Sequence, residues 1–419
     1  LRLDTLLRVV EPRLPRRTRR RAIARALAFI RERLNGEDGL GAIFPAMVNA
    51  VEAMVLTGVP EDDPDLVTAR RAIEKLLVVK EDEAYCQPCV SPVWDTGLAA
   101  HAMLEAGVDG DDREIKAAAD WLLGREIRDV IGDWAWQAPG LAPAGWAFQY
   151  RNDHYPDVDD TAVVGMALHR LGDPAYAPAV ERAADWIVGM QSKNGGWGAF
   201  DIDNDKYYLN HIPFADHGAL LDPPTADVSA RCLSFLCQIG RTRDDPAVAR
   251  AIEFLKAEQE VDGSWFGRWG TNYVYGTWSV LCALNAAGEA MDLSYVRRAV
   301  DWLKARQNAD GGWGEDGATY WRERRGECKA STASQTAWAL MGLMAAGAVD
   351  DPAVARGVRY LTDAPRDGAR WDEDWYTAVG FPRVFYLRYH GYAAYFPLWA
   401  LARYRNLKRA NDPKVAWGM

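Results

Sequence analysis

Three carboxylates fall within four positions of the stretch Tyr155-Pro156-Asp157-Val158-Asp159-Asp160, and an apolar run, residues 161–168, comes directly after it. Pro156 keeps the residue before it extended, so a helix is expected to begin just after the proline, with Asp157 or Asp159 near its N-terminus. One carboxylate is enough to cap a helix. Three at the mouth of a helix apolar enough to be buried point to chemistry. Aromatic residues fall in the loops expected beside them: Trp94, Phe148, Trp269, Tyr273, Tyr275, Phe381, Phe385, Tyr386, Tyr389 and Tyr392. Acids among rings admit two reactions. In a sugar-cleaving enzyme two carboxylates work as acid and base while rings stack on the sugar. In a carbocation enzyme a carboxylic acid protonates an alkene, and the negative faces of the rings stabilise the cation. Glycosidase acids usually come from separate loops, which favours the second reaction for so tight a cluster.

Helices must position these groups. Charged, amphipathic segments (112–127, 178–191, 246–259, 293–307 and 352–363) alternate with nearly uncharged ones rich in small residues (95–107, 161–172, 227–240, 275–288, 331–347 and 392–404). Helices apolar all round are buried, and those with one charged face look outward. Six buried helices alternating with charged ones predict an all-α fold, an α/α toroid with an inner ring inside an outer ring. No segment reads as a sheet strand. Each buried helix but the last ends at a glycine, as a C-cap does. A repeat runs through the same region: Arg182-Ala183 to Gln191 to Gly195-Gly196-Trp197, Arg250-Ala251 to Gln259 to Gly263-Ser264-Trp265, and Arg298-Ala299 to Gln307 to Gly311-Gly312-Trp313. Worn copies end at Trp371 and at Trp134. In each copy the Gln is expected to bond backbone at a helix end while the Trp packs over the turn. Earlier in the chain, helices are expected at 20–34, 44–58 and 64–77, too few to close a ring of their own.

The 419 residues suffice for one large or two smaller domains, and a formal charge of −10 argues against nucleic acid as the main partner. Eighteen Trp must staple a scaffold or line an apolar or sugar-binding cavity. Cys86 and Cys89 form the one close cysteine pair, with no second pair or His-x₃₋₅-His to complete a metal site, so no metal is expected and a reducing compartment fits the scattered thiols. Uncharged windows at 269–288 and 330–349 reach about the length of a membrane span, but Asn272, Asn285 and Gln335 mark them as buried helices. The arginine-rich run 13–21 reads as a solvated helix start or as a contact for anionic lipid.

The repeats resemble the Gln-Trp repeats of triterpene cyclases, and Asp157-Val158-Asp159-Asp160 resembles the protonating motif of squalene–hopene cyclases. The stretches 85–96, 196–204, 210–214, 265–270 and 380–382 agree with that family, and the similarity covers essentially the whole chain. The resemblance implies a cofactor-free enzyme in which Asp159 protonates the terminal double bond of squalene, with Asp157 and Asp160 as its partners. Cyclisation to hopene or hopanol would then proceed. Asp227, Arg231 and Tyr275 match positions that support the acid, and at Arg231 some members place His. Phe148, Phe381 and Phe385 match positions that stabilise ring cations. Trp94, Phe200, Trp269, Leu387, Tyr389, Tyr392 and Ile43 shape the folded substrate, and Phe214 and Ala215 match a channel constriction.

The family is about half again as long, so a portion is expected to precede Leu1. Residues 1–78 would then end a second α/α barrel, and 79–419 would form the catalytic barrel, one outer helix short. Where some members carry Gln near the cation-terminating end, this chain has Phe44. The resemblance further implies a monotopic protein on the cytoplasmic face of the cell membrane, taking squalene from membrane lipid, with a homodimer as an additional expectation. The alternatives are a related cyclase acting on another polyprenoid or a prenyl diphosphate, a glycosidase, and a non-catalytic helical scaffold. A diphosphate would demand a basic pocket that the acid motif lacks.

Overall fold

Residues 2–13, 15–212, 220–410 and 415–419 are described by the computed structural model. Four helices lead the chain: α1 (Arg2–Val10), α2 (Arg16–Glu32), α3 (Phe44–Leu56) and α4 (Pro64–Glu74). Asp63 caps α4 by accepting from the amides of Asp65 and Leu66, and Pro64 opens its first turn. Leu34, Ala50, Met54, Leu66 and Ala69 form a small core of this region, separate from the main one. The segment is tied to later parts of the chain by Phe44 N–H donating to Pro88 O at 2.7 Å and by Arg33 pairing with Asp133 at 2.8 Å.

The helices without a charged face form a closed ring. They are α5 (Pro92–Ala106), α7 (Val158–Leu171), α9 (Ala226–Gln238), α11 (Tyr273–Ala286), α13 (Ala333–Ala345) and α15 (Tyr392–Ala410). Each packs on the next in chain order, and α15 returns to pack on α5. The amphipathic helices α6 (Arg113–Leu123), α8 (Ala177–Gly189), α10 (Pro246–Ala257), α12 (Ser294–Ala305) and α14 (Pro352–Asp363) pack outside them. The molecule is therefore an all-α toroid. Burial matches the sequence pattern: every residue of α13 is buried, whereas α12 buries only Val296, Ala299, Trp302 and Leu303. Helices α5 and α7 start three residues earlier than their apolar runs suggested, at Pro92 and Val158.

The repeat residues staple the outer layer. Gln191 Nε2 donates to Gly195 O at 2.8 Å and to Ala247 O in the first turn of α10 at 2.9 Å. Gln259 bonds Gly263 and Tyr295, and Gln307 bonds Gly311 and Ala353, all at 2.8 Å. Each Gln therefore joins the end of one outer helix to the start of the next. Arg250, Arg298 and Arg356 donate to the amide oxygens of the same three residues. The indoles of Trp197, Trp265, Trp313 and Trp371 donate to the carbonyls ten residues earlier, at 2.7–2.8 Å. Gly263 sits at φ +98°, and a Cβ there would stand 2.8 Å from Arg298 O, so backbone and neighbour both demand glycine.

Two sequence expectations change. In the copy near residue 121 the stapling indole is Trp146, not Trp134: Trp146 Nε1 donates to Leu122 O at 2.7 Å, across a separation of 24 residues. A longer loop intervenes there, and fixed spacing pointed to the wrong tryptophan. Glu126 takes the place of Gln in that copy and grips Arg182 through two 2.7 Å bonds. Short antiparallel hairpins also occur: β1 (Leu77–Val79) with β2 (Ala84–Cys86), β3 (Arg366–Asp367) with β4 (Arg370–Trp371), and β5 (Ala378–Phe381) with β6 (Phe385–Leu387). Strands of two to four residues are too short to show alternation in sequence.

Gln259→Ala removes a two-ended staple and leaves a carbonyl at each end without its partner. It is expected to destabilise the chain by ~1–3 kcal/mol in urea unfolding, and Gly263→Ala by at least as much.

Candidate active site

Asp157 is the cap of α7. Its Oδ1 accepts from Asp159 N–H at 2.7 Å and from Asp160 N–H at 3.2 Å. Its own N–H donates to Trp146 O at 2.7 Å, and Val158 N–H donates to Ala199 O at 2.8 Å. With the cap supplied by Asp157, Asp159 and Asp160 are left for other work.

Asp159 Oδ1 lies 3.1 Å from Arg231 Nε, and the two side chains are 8% and 1% exposed. Their alignment is too poor for a hydrogen bond, so the contact is an ion pair with both atoms otherwise unpartnered. Arg231 is fixed from its other side. Nη1 donates to Asp227 O at 3.0 Å and to Ser279 Oγ at 3.2 Å, and Nη2 donates to the Tyr275 hydroxyl. The guanidinium also lies 4.8–5.7 Å from the ring centroids of Tyr275, Trp94 and Trp278. Tyr275 thus reaches the acid through Arg231. Asp227 acts mainly on backbone: its Oδ2 accepts from the amides of Arg268 and Trp269 at 2.8 and 2.9 Å, which seats the Trp269 loop.

Burial is the largest influence on all three motif carboxyls. It pushes Asp159 up to about 7, against the opposing pull of Arg231, with the charge of Asp227 adding to the rise. Asp157 and Asp160 are raised well above the usual carboxylate range by burial first, and then by their carboxylate neighbours. Crowding, the more visible feature in sequence, is secondary to desolvation. Arg231 cannot neutralise Asp157, Asp159 and Asp160 together, so the cluster retains protons near neutral pH.

Aromatic side chains form two sets, one running from Trp94 beside Arg231 and one around Trp269. Trp94 Nε1 donates to the Tyr392 hydroxyl at 2.9 Å. Ring centroids lie 4.8 Å apart for Tyr392 and Tyr389, and 5.9 Å for Tyr389 and Phe148. Phe200 meets Trp269 at 6.5 Å, and the hairpin β5–β6 brings Phe381 to 5.3 Å from Phe385. Arg268 links the two pairs by lying 4.2 Å from Trp269 and 5.8 Å from Phe381. Tyr389 is half-buried, and burial raises its phenol well above the usual value. Leu387 lies on β6 and packs against the main core. Ile43 stands two residues from Gly41, whose carbonyl accepts from Gln149 and Asn152 in the Phe148 loop.

Tyr273 and Tyr386 leave the expected set. Tyr273 packs on Trp302 of the outer helix α12, and Tyr386 stacks on Tyr320 with its hydroxyl on Gly317 O. Phe214 and Ala215 lie outside the described residues. Conversely, nothing in the sequence separated Trp278 and Trp338, which stack at 5.9 Å behind Arg231, from other buried tryptophans. The same holds for Asp95, a half-buried carboxylate accepting from Ser91 and Tyr395 beside Asp160. Among the described residues no group of three or more His, Cys, Asp or Glu is placed to hold a metal.

Because Asp159 titrates near 7 when folded and near 3.8 otherwise, the folded chain holds a proton that the unfolded chain has lost between those values. This contribution to stability is complete below pH ~4 and falls away as pH rises toward 7, by up to ~1.4 kcal/mol per unit. Unfolding measured from pH 5 to 8 should show stability falling as pH rises, and Asp159→Asn should make that fall shallower by up to this amount, leaving the share contributed by Asp157 and Asp160.

Residues 90–406 match the squalene-hopene cyclase C-terminal domain family, and residues 1–82 match the squalene-hopene cyclase N-terminal domain family. The chain is 59% identical to a probable squalene–hopene cyclase of Sinorhizobium fredii over 98% of its length, and 57% identical to a squalene–hopene cyclase of Bradyrhizobium diazoefficiens over 100%. It spans 64% of the length of each of those relatives. A squalene–hopene cyclase of Alicyclobacillus acidocaldarius is 47% identical over 92% of the chain and 62% of its own length. Among solved structures, the type II terpene cyclase MstE from Scytonema aligns with a TM-score of 0.51 at 18% identity, covering 76% of this chain and 88% of that one, which is a likeness of fold. On the two family matches and the extent of identity, the chain belongs to the squalene–hopene cyclase family.

Proposed function

We propose that this chain carries the acid and most of the cavity wall of an enzyme that cyclises squalene to hopene or hopanol. The observation that carries the reading is the buried Asp159 carboxyl, 3.1 Å from a guanidinium that is fixed by Asp227 O, Ser279 and Tyr275 and flanked by the rings of Trp94, Tyr275 and Trp278. The names of its relatives support squalene as the substrate.

The first step needs an acid that keeps its proton in a resting site and releases it to a weak base. In the neutral form the Asp159 O–H bond breaks while the alkene π pair forms a new C–H bond, leaving a carboxylate and a tertiary carbocation. Arg231, 3.1 Å away, stabilises the carboxylate as it forms, and the amide-rich start of α7 acts in the same sense. The cation then moves along rings whose negative faces attract it: Phe148, Phe200, Trp269, Phe381, Phe385 and Tyr389. None of these offers a good nucleophile, and their packing limits water that would quench the cation early.

Membrane contact belongs to the same proposal, because squalene partitions into bilayers. The contact proposed is monotopic; no helix of the described residues is long and apolar enough to cross a membrane. Assembly as a homodimer is a separate proposal, checked by light scattering.

In a full-length version incubated with squalene in detergent, Asp159→Asn is expected to lose at least ~10³-fold in turnover and to keep its helical circular dichroism. Equal triterpene yield by gas chromatography from the substituted and unsubstituted proteins would overturn the role of Asp159. The full-length protein should also float with liposomes in the absence of squalene; its recovery wholly in the unbound fraction would overturn membrane contact.

A further inference from the structure

Three successive amides converge on the carboxyl group of Asp222, a residue with no part in the protonation step or the cation path. Ala199 N–H donates to Oδ1 at 3.0 Å, and the amides of Phe200 and Asp201 donate to Oδ2 at 2.6 and 2.9 Å. Asp222 also pairs with Asn204 across an antiparallel bridge, and Asn204 Nδ2 donates to Asp201 Oδ2 at 2.8 Å. A Cβ on Gly198 would stand 2.5 Å from Asp222 O and 2.7 Å from its Oδ2, so only glycine admits so close an approach. Asp222 retains some surface as a residue, but its carboxyl is enclosed, and amide bonds to an enclosed carboxylate are among the stronger ones a protein makes.

The peptides it grips lead to two places. Ala199 O accepts the N–H of Val158, a first-turn donor of α7 that has no partner inside its own helix. Phe200 projects the ring that meets Trp269 edge-on. We propose that Asp222 is a positioning residue of the acid site, holding the start of α7 and the Phe200 ring in one register through the 199–201 peptides. This rests on reading Asp157–Asp160 as the acid.

The charge of Asp222 adds a second effect, because it disfavours ionisation of Asp157. The groups facing the cluster are Asp95 from α5, Asp227, Arg231 and Cys232 from α9, Tyr389 and Tyr392, and the three motif carboxyls themselves, with Arg268 beside Asp227. Asp222 in turn faces Asp201 and Arg268. Removing its charge should therefore lower the pH at which the cluster loses its proton.

Amide hydrogen exchange and carboxyl titration by NMR test this on the chain itself. Neither needs squalene, so a failed cyclisation assay would not alter their result. In Asp222→Asn, an NH₂ group can replace the oxygen that serves Phe200 and Asp201. Exchange at Val158, Phe200 and Asp201 is expected to rise about tenfold or more, and the cluster is expected to titrate at lower pH. Asp222→Glu keeps the charge on a longer arm: the amides should loosen while the titration stays near that of the unsubstituted chain. Unchanged exchange, or loosening confined to 200–201 with Val158 and the titration unmoved, would overturn the proposal. Should neither variant fold, the unsubstituted chain decides: the Phe200 and Asp201 amide protons must shift on one midpoint shared with the Asp222 carboxyl carbon, and separate midpoints would overturn it.

Discussion

Everything at the acid end depends on one unequal pairing, a buried guanidinium facing more carboxylates than it can neutralise. Removing charges from water is costly, and the cost falls as soon as a carboxyl keeps its proton. Arg231 counters this most directly for Asp159, at 3.1 Å, and more weakly for Asp160, while Asp157 and Asp160 are held well above the ordinary range. The result is one carboxyl raised to about 7 with a cation waiting for its conjugate base, flanked by two that burial also raises well above the ordinary range. An arginine suits this role because it stays charged at any pH the protein meets. Its place is set by Asp227 O, Ser279 and Tyr275, and by three aromatic rings. It cannot move with the proton.

The toroid makes such burial possible. Inner helices without charged faces close a ring in which each supports the next, and the N-terminal turn of α7 is enclosed by its neighbours. The outer layer is kept in step by Gln191, Gln259 and Gln307, each bonded to the start of the next outer helix. These bonds are side chain to backbone and act locally, so successive units join without any strand order. Glu126 with Arg182 performs the same joining by charge in the first unit.

A second rule governs the loops above the ring: buried carboxylates seat backbone rather than balance cations. Asp157 takes the amides of Asp159 and Asp160, Asp227 those of Arg268 and Trp269, and Glu315 those of Asn272 and Val274. Each holds a loop that carries a residue of the acid or of the aromatic wall. Rigid loops matter for carbocation chemistry, because a ring displaced by an ångström loses much of its grip on a passing charge.

The sequence by itself determined the architecture and the place of the acidic cluster. Alternation of uncharged and amphipathic helices gives the two rings, since a helix without a polar face has to be buried. The Asp157-Val158-Asp159-Asp160 run, set against an apolar helix, marks the acid without reference to anything distant. Tertiary structure decided what depends on partners far along the chain. Trp146 rather than Trp134 closes the first unit because an insertion moved it beyond the repeat spacing. Tyr273 pairs with Trp302 and Tyr386 with Tyr320, while Trp278 and Trp338 stand behind Arg231, because the facing of a loop or of an all-apolar helix is set by its neighbours. That Asp157 is the cap, and that burial outweighs crowding in raising Asp159, are consequences of hydrogen-bond partners and enclosure. Local spacing records which groups are close in the chain; desolvation and cross-chain partners exist only once the ring has closed.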